Sequence, residues 1–184
     1  MSFLSVMDLS RNNLTGIIPR SIGKCSFLKV LDLGNNSLSG EIPSSMDQLN
    51  QLKSSHLNDN LISGNLPASL KNLLSLETLD LGMNNLEGTL PLWLGEGFTG
   101  LRILNLRSNA FSGGIIFDFS NLTLLQVLDL GENNLSGRIP TSLRDLKAMA
   151  QEQMINKYLL YGQYRGAYYE ENLVVNLKNL EILR

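Results

Sequence analysis

Apolar residues recur along this chain in a fixed pattern, and the length of its repeat is far greater than the period of a helix or a strand. The template L-x-x-L-x-L-x-x-N-x-L-x-G-x-I-P fits six times, with starts at Leu4, Leu28, Leu52, Leu76, Leu101 and Leu125. Successive starts are 24, 24, 24, 25 and 24 residues apart. A regular period of this length predicts a solenoid in which each repeat forms one coil.

The L-x-L part of each unit predicts a short strand, because alternate residues of a strand point to opposite faces. In the second unit Leu31 and Leu33 then point into the solenoid, and Asp32 points outward on its concave side. Strands of successive units pair in parallel, which predicts a concave parallel sheet. The rest of each unit crosses one flank in extended form and returns along a convex side that is irregular or carries a short helical turn.

Three polar or special positions keep the same slot in the template. The asparagine slot holds Asn12, Asn36, Asn60, Asn84, Asn109 and Asn133, which we call the asparagine ladder. The glycine slot holds glycine in all six units. All five prolines share one slot, and only the fifth unit has another residue there, Ile116. An inward-facing amide can bond the backbone groups that a tight turn leaves without partners, so we expect the ladder to be structural.

This unit resembles the plant-specific, 24-residue class of leucine-rich repeat. That class occurs in the ectodomains of plant receptor-like kinases, receptor-like proteins and polygalacturonase-inhibiting proteins. The resemblance covers residues 3–147 and implies an α/β repeat solenoid, a right-handed curved superhelix of about six repeats. We therefore expect residues 1–147 to form the repeat array.

The period stops after Leu146, and residues 148–184 contain all five tyrosines. The stretch YYEENLVVNL at 168–177 resembles the non-repeat island of plant receptor-like proteins. The ending NLEILR fits either a seventh unit, through Leu180 and Leu183, or a helix of the island. Neither the signal peptide nor the cysteine-bearing cap of that family is visible, so we expect a fragment, a truncated gene product or a recombinant piece of a longer protein.

Composition narrows the range of functions. The chain has 184 residues and a net charge of −2, which gives no basic face for nucleic acid. It has no run of 18 apolar residues, so we expect no membrane span within it. One cysteine, Cys25, and one histidine cannot build a metal site, and no cofactor is expected.

His56 occupies the outward slot that holds aspartate in most units. On parallel strands Asp32 and Asp80 should flank it at about 5 Å, which would favour the charged imidazole and make it a protonatable contact. The alternative is an ordinary exposed substitution. A Ser-His-Asp triad is not expected, because Ser54 shares the histidine face at i−2 and Ser55 takes a core leucine slot; we expect no enzyme.

The concave face is the expected contact surface, and its positions that depart from the template carry the most information. The candidate ligand contacts are His56, Asp32, Asp80, Lys53, Arg102, Asn105, Arg107 and Glu132. A face of mixed charge suits a protein or peptide better than a small apolar ligand. Four sequons, at Asn13, Asn35, Asn121 and Asn134, are candidate N-glycosylation sites.

Three functions follow as hypotheses. The first is ligand recognition by a plant receptor-like protein in defence signalling, with recruitment of a co-receptor kinase. The parent protein would then place this chain on the extracellular side of the plasma membrane. The second is a secreted inhibitor of a polygalacturonase, and the third is a truncated product without a role of its own.

Overall fold

A parallel sheet of six short strands forms one side of the molecule. The structure, a computed structural model, describes residues 3–146, 148, 160–164 and 167–170. The strands of this sheet are β1 (Val6–Asp8), β3 (Val30–Asp32), β5 (Ser54–His56), β7 (Thr78–Asp80), β9 (Ile103–Asn105) and β11 (Val127–Asp129), paired in that order. We call it the concave sheet, and it confirms the strand predicted for each unit.

A second parallel sheet runs along the flank. Its strands are β2 (Thr15–Ile17), β4 (Ser37–Gly40), β6 (Leu61–Gly64), β8 (Asn85–Thr89), β10 (Ala110–Gly114) and β12 (Asn134–Ser136). The sequence predicts extended backbone here but not this pairing. Pairing follows because the constant repeat length brings the same backbone donors and acceptors of neighbouring coils side by side.

Short 3-10 helices occupy the return path, as the sequence predicts. They span Arg20–Lys24, Ser44–Gln48, Ala68–Asn72, Leu92–Leu94 and Thr141–Asp145. Each begins directly after a proline in extended conformation. Proline fixes φ at this position, and its lack of a backbone N–H costs nothing because no donor is needed at the start of the turn. The fifth unit, which has Ile116 in place of the proline, has no such helix in the described part of the chain.

The core is a continuous stack of leucines between the two sheets and the helices. The first template leucine is fully buried in units two to six, as at Leu52 and Leu101. Burying one such side chain contributes about 1.5–3 kcal/mol. Cys25 is a buried free thiol in this core. In the third unit Ser55 takes the slot of Leu31 and Leu79, and its hydroxyl is buried without a hydrogen-bond partner.

The asparagine ladder ties each coil to the one before it. The side chain of Asn84 accepts a hydrogen bond from the Ile62 amide at 3.0 Å and donates to the Leu57 carbonyl at 3.0 Å, both in the preceding unit. It also donates to Leu81 and Gly82 in its own unit, at 3.1 Å each. The same four bonds recur at Asn36, Asn60, Asn109 and Asn133. The structural role predicted for the ladder is confirmed.

The glycine slot has a backbone conformation that favours glycine. All six glycines of the slot have φ between 75° and 85°, a region that residues with a side chain rarely adopt. At Gly40 an added Cβ would in addition meet the Ile17 side chain at 2.8 Å.

Only part of the C-terminal segment is described. Strands β13 (Leu160–Tyr164) and β14 (Ala167–Glu170) form an antiparallel pair. The rest of residues 148–184, including the proposed seventh unit at Leu180 and Leu183, lies outside the described residues, apart from residue 148. No helix within the described ranges has the length and apolarity needed to cross a membrane.

Replacing one rung of the ladder should destabilise the whole array. Asn84→Ala removes four hydrogen bonds and leaves the Leu57 carbonyl in the interior with one partner fewer. We expect a loss of about 2–4 kcal/mol in the free energy of unfolding, measured by urea denaturation. Asn85→Ala, at the next and exposed position, is the matched control and should change stability by less than about 0.5 kcal/mol. Equal effects of the two substitutions would contradict the structural role.

The serine pair of β5 gives a second stability test. Ser55→Ala removes a buried hydroxyl that has no partner, so we expect it to raise the free energy of unfolding by about 1 kcal/mol. Ser54→Ala removes a hydroxyl that is bonded to His56, so we expect a loss of similar size. Urea denaturation of both variants checks the pair, and a loss of stability in Ser55→Ala would refute the assignment of Ser55.

Candidate ligand-binding groove

A groove of about 480 Å³ crosses the carboxyl ends of the concave strands. Its first row is the last residue of each strand: Asp8, Asp32, His56, Asp80, Asn105 and Asp129. Its remaining lining comes from the second and third positions after β1, β3, β5 and β7, and from Arg107 at the second position after β9. The repeat frame therefore places one residue of each coil beside its counterpart in the next.

The acidic residues of the first row also hold the turns in place. One carboxylate oxygen of Asp32 accepts the Gly34 amide at 3.0 Å, and one of Asp80 accepts the Gly82 amide at 3.1 Å. Asn105 does the same for the Arg107 amide through its side-chain oxygen at 3.0 Å. This explains why aspartate recurs in the slot.

His56 lies between Asp32 and Asp80, as the sequence predicts, but it is buried rather than exposed. The strand register pairs it with both aspartates, and its exposed fraction is 3%. Its Nε2 contacts the Ser54 hydroxyl at 2.9 Å, and its Nδ1 lies 3.8 Å from an Asp80 oxygen. The alternative of an ordinary exposed substitution is therefore wrong. The role of His56 as a protonatable contact stays a prediction.

Ser54, His56 and Asp80 resemble a catalytic triad in outline only. Ser54 contacts His56, because the two residues occupy neighbouring positions on one strand face, as the sequence places them. Yet Ser54 is fully buried, so its hydroxyl is not accessible to an incoming acyl group. The Nδ1–Asp80 distance of 3.8 Å also exceeds that of a hydrogen bond. This geometry does not present Ser54 as a nucleophile for acyl transfer.

Two of the predicted contacts lie away from the groove. Lys53 and Arg102 precede their strands and pair with Glu77 between them, at 2.7 Å from the Lys53 ammonium and 3.8 Å from the Arg102 Nε. None of these three residues lines the groove. The structure thus separates the candidate contacts into a group at the amino ends of the strands and a group at the carboxyl ends.

Arg107 and Glu132 belong to one polar cluster at the sixth-unit end of the groove. The Arg107 guanidinium pairs with Glu132 and lies 3.5 Å from Asp129, and Ser108 also donates to Glu132. The hydrogen bond to Glu132 is the main cause that raises the pKa of Arg107 above its ordinary value. The guanidinium lies so close to Gly131 that a Cβ there would be 2.6 Å from it. These two candidates already contact each other, which reduces the charge they offer to a ligand.

One row of groove residues has no clear signal in the sequence. The residue before each ladder asparagine is left-handed, with φ between 52° and 55°, at Arg11, Asn35, Asp59, Met83, Ser108 and Glu132. Asparagine and aspartate tolerate this region, but methionine does not favour it. The backbone bonds to the next coil, such as the 2.8 Å bond from the Met83 amide to the Arg107 carbonyl, hold it in place. Four of these residues line the groove: Arg11, Asn35, Asp59 and Met83.

The four sequon asparagines are all exposed: Asn13, Asn35, Asn121 and Asn134. Asn35 lines the groove, whereas Asn134 begins β12 of the flank sheet. Their glycosylation stays a prediction. Within the described ranges, no three His, Cys, Asp or Glu side chains are placed to hold a metal ion.

Comparison with known families identifies the class of protein that this fold and groove define. The family model described as Leucine rich repeat matches residues 2–62, and a second, also described as Leucine Rich Repeat, matches 75–96, 100–122 and 124–146. These matches cover more than half of the chain. The chain belongs to the leucine-rich repeat family. No curated protein matches it.

Solved structures that are similar to it include the ectodomains of plant receptors. It is 36% identical to the ectodomain of the Arabidopsis thaliana membrane receptor kinase GASSHO1/SCHENGEN3, with a TM-score of 0.77 over 79% of this chain and 17% of that one. It is 40% identical to the Arabidopsis receptor kinase HAESA, solved with the peptide hormone IDA and the co-receptor SERK1, with a TM-score of 0.75 over 78% and 24%. It is 33% identical to the ectodomain of the Arabidopsis thaliana receptor kinase SOBIR1, with a TM-score of 0.66 over 71% of this chain and 72% of that one. The chain thus spans about a fifth of the first two ectodomains.

The left-handed row gives a test of the groove geometry. Met83 is exposed and has φ 55°, so Met83→Asn should raise the free energy of unfolding by about 0.5–1 kcal/mol. Met83→Val is the matched control, and because a β-branched residue is disfavoured there it should lower the stability. Thermal and urea unfolding measure both variants. The reverse order of stability would show that the left-handed conformation is not present in solution.

Proposed function

We propose that this chain is the ligand-recognition part of a plant receptor-like protein that binds an extended peptide or protein segment in the concave groove. In the proposed setting, on the extracellular side of the plasma membrane, binding recruits a co-receptor kinase in defence signalling. The observation that carries the proposal is the groove itself. It runs across six parallel strands, and each coil contributes side chains to it at a constant spacing. A surface that repeats along its length suits an extended ligand that lies along it and contacts several coils.

The charge of the groove favours a cationic ligand. Five aspartates line it, Asp8, Asp32, Asp59, Asp80 and Asp129, against two arginines, Arg11 and Arg107. Arg107 is paired with Asp129 and Glu132, so the acidic character is strongest toward the first three units. Complementary charge steers encounter and fixes the register of a partner. We therefore expect a peptide that places lysine or arginine against Asp32 and Asp59.

The comparisons support the peptide ligand and the co-receptor at the level of the family. HAESA is described in complex with a peptide hormone and SERK1, and GASSHO1/SCHENGEN3 in complex with CASPARIAN STRIP INTEGRITY FACTOR 2. These ligands belong to those proteins. For this chain, the ligand, the co-receptor and the defence context are part of the proposal, and the four exposed sequons fit an extracellular setting.

Peptide titration tests the proposed ligand chemistry. The chain is titrated by calorimetry with a library of extended peptides of about 12 residues that carry lysine or arginine, and with copies in which glutamine replaces every basic residue. We expect binding by members of the basic set only, weakened by added salt. Asp59→Asn keeps a residue that tolerates φ 53° and should weaken binding about three- to tenfold, or roughly 0.7–1.4 kcal/mol.

The control for this titration lies on the other sheet. Glu87 is exposed on β8 of the flank sheet, so Glu87→Gln removes the same charge at a distance from the groove. We expect unchanged affinity in this variant. Equal binding of the glutamine copies, or equal weakening by Glu87→Gln and Asp59→Asn, would overturn the assignment of the groove.

A further inference from the structure

We propose that the middle of the concave sheet is a docking surface for this chain's own C-terminal segment, residues 148–184, which covers it and leaves open the groove beside it. The surface is formed by the first residue of each of the four interior strands, which we call the central strip: Val30, Ser54, Thr78 and Ile103. Each shares a strand face with the groove residue two positions later, as the contact between Ser54 and His56 illustrates. The central strip therefore points away from the leucine core and toward the concave side.

The central strip is closed off from water, although it lies on an outward face. Three of its members are 0% exposed and Ile103 is 7% exposed, whereas Val6 and Val127, at the same position of the end strands, are partly exposed. Neighbouring strands cover the sides of such a residue but not its tip, since side chains stand roughly perpendicular to a sheet. Val30 and Ile103 are buried apolar residues that do not belong to the leucine core. They are therefore buried from the concave side, by atoms that lie over the sheet.

The repeat array itself does not supply these atoms. Each coil is fixed in register beside the next, so its backbone follows the two sheets and the return path and does not cross the concave face. The side chains that border the strip at the amino ends of the strands pair through Glu77 and stay partly exposed, as Lys53 and Arg102 do. The covering atoms thus come from a part of the chain outside the six coils.

The C-terminal segment has the length and the position that this role requires. Four neighbouring strands extend over about 14 Å, which residues 1 and 2 are too few to span. Ala148 is buried directly after the sixth unit, and residues 149–159 reach up to about 35 Å when extended. The antiparallel pair β13–β14 follows them and is therefore within reach of every strand of the central strip.

The chemistry of the strip favours a cover with aromatic side chains. The Thr78 hydroxyl is buried without a hydrogen-bond partner in the described part of the chain, which is expected beneath a group that is apolar at this point. Val30 and Ile103 add apolar surface at the two ends of the strip. Aromatic rings bury a large apolar area, and all five tyrosines of the chain lie in residues 148–184.

A covered central strip also accounts for the position of the groove. None of the four strip residues lines the groove, which is confined to the carboxyl ends of the same strands. A ligand of the groove would then contact the acidic row and not the middle of the sheet. The proposal concerns a contact within the chain, so it stands or falls independently of the proposed ligand.

Photo-crosslinking of the full chain tests which segment covers the sheet. p-Benzoylphenylalanine replaces Arg102, which borders Ile103 and has a partly exposed side chain. We expect an internal crosslink in the monomer, and mass spectrometry should place the captured peptide within residues 148–184. The matched control carries the same probe in place of Glu87, on the flank sheet, and should not capture this segment.

Two outcomes of the crosslinking would overturn the proposal. One is that the probe at position 102 captures residues of the array alone, or captures the segment no better than the probe at position 87. The other is a crosslinked dimer joined through position 102, which would show that a second copy covers the sheet.

Hydrogen exchange gives a second test without a probe. Thr78→Lys places a charge beneath the cover, which an apolar group cannot accommodate. We expect the amides of β13 and β14 to exchange at least about tenfold faster, because an isolated pair of strands is only marginally stable in water. The Ile62 and Leu86 amides should stay protected, since Thr78 does not face the core.

Glu87→Lys is the matched control for the exchange experiment and should change neither set of amides. Unchanged exchange of β13 and β14 in Thr78→Lys would contradict the docking of the segment. Loss of protection at Ile62 and Leu86 as well would show that Thr78 belongs to the core, and would also overturn the proposal.

Discussion

The fold depends above all on the hydrogen bonds by which an asparagine of each coil holds the backbone of the coil before it. A coil of 24 residues has too little apolar surface to fold alone, and stacking is what buries its leucines. Stacking also forces tight turns whose amides and carbonyls would be buried without partners. The side chain of Asn84 bonds four of these groups at once, two on each side of the interface. The ladder thereby fixes both the spacing and the register of the coils.

A fixed register has a direct consequence for recognition. Because every coil presents the same backbone at the concave face, the surface can change only through the side chains at a few slots. At the last position of the strand, most units have aspartate. Its side chain accepts a hydrogen bond from the backbone amide two residues later, so this aspartate is itself structural. The third and fifth units depart from that template at His56, Asn105 and Arg107, and these residues lie together in the groove. The side chains that distinguish this surface from the template therefore lie at the positions that stacking does not constrain.

The sequence predicts the frame well because its constraints are local and repeated. Proline, glycine and asparagine each satisfy a local requirement of the backbone within one coil, and the period shows that the requirement recurs in every coil. It does not predict how side chains of neighbouring coils meet. The burial of His56 and its contact with Ser54 depend on the neighbouring strands, and the pairing of Arg107 with Glu132 depends on the space above Gly131. The left-handed residues are missed for another reason, since backbone bonds impose that conformation on residues as different as Met83 and Asp59.

Native-state hydrogen exchange tests the central role of the ladder most directly. The amides of Leu38, Ile62, Leu86 and Phe111 each donate to a ladder side chain of the following coil. If these bonds frame the array, the four amides exchange only through cooperative unfolding and share one high protection factor. The Leu14 amide, which bonds Asn36 beside the open first coil, should exchange faster. Fast and unequal exchange at Ile62 and Leu86, comparable to that at Leu14, would contradict the central role of the ladder.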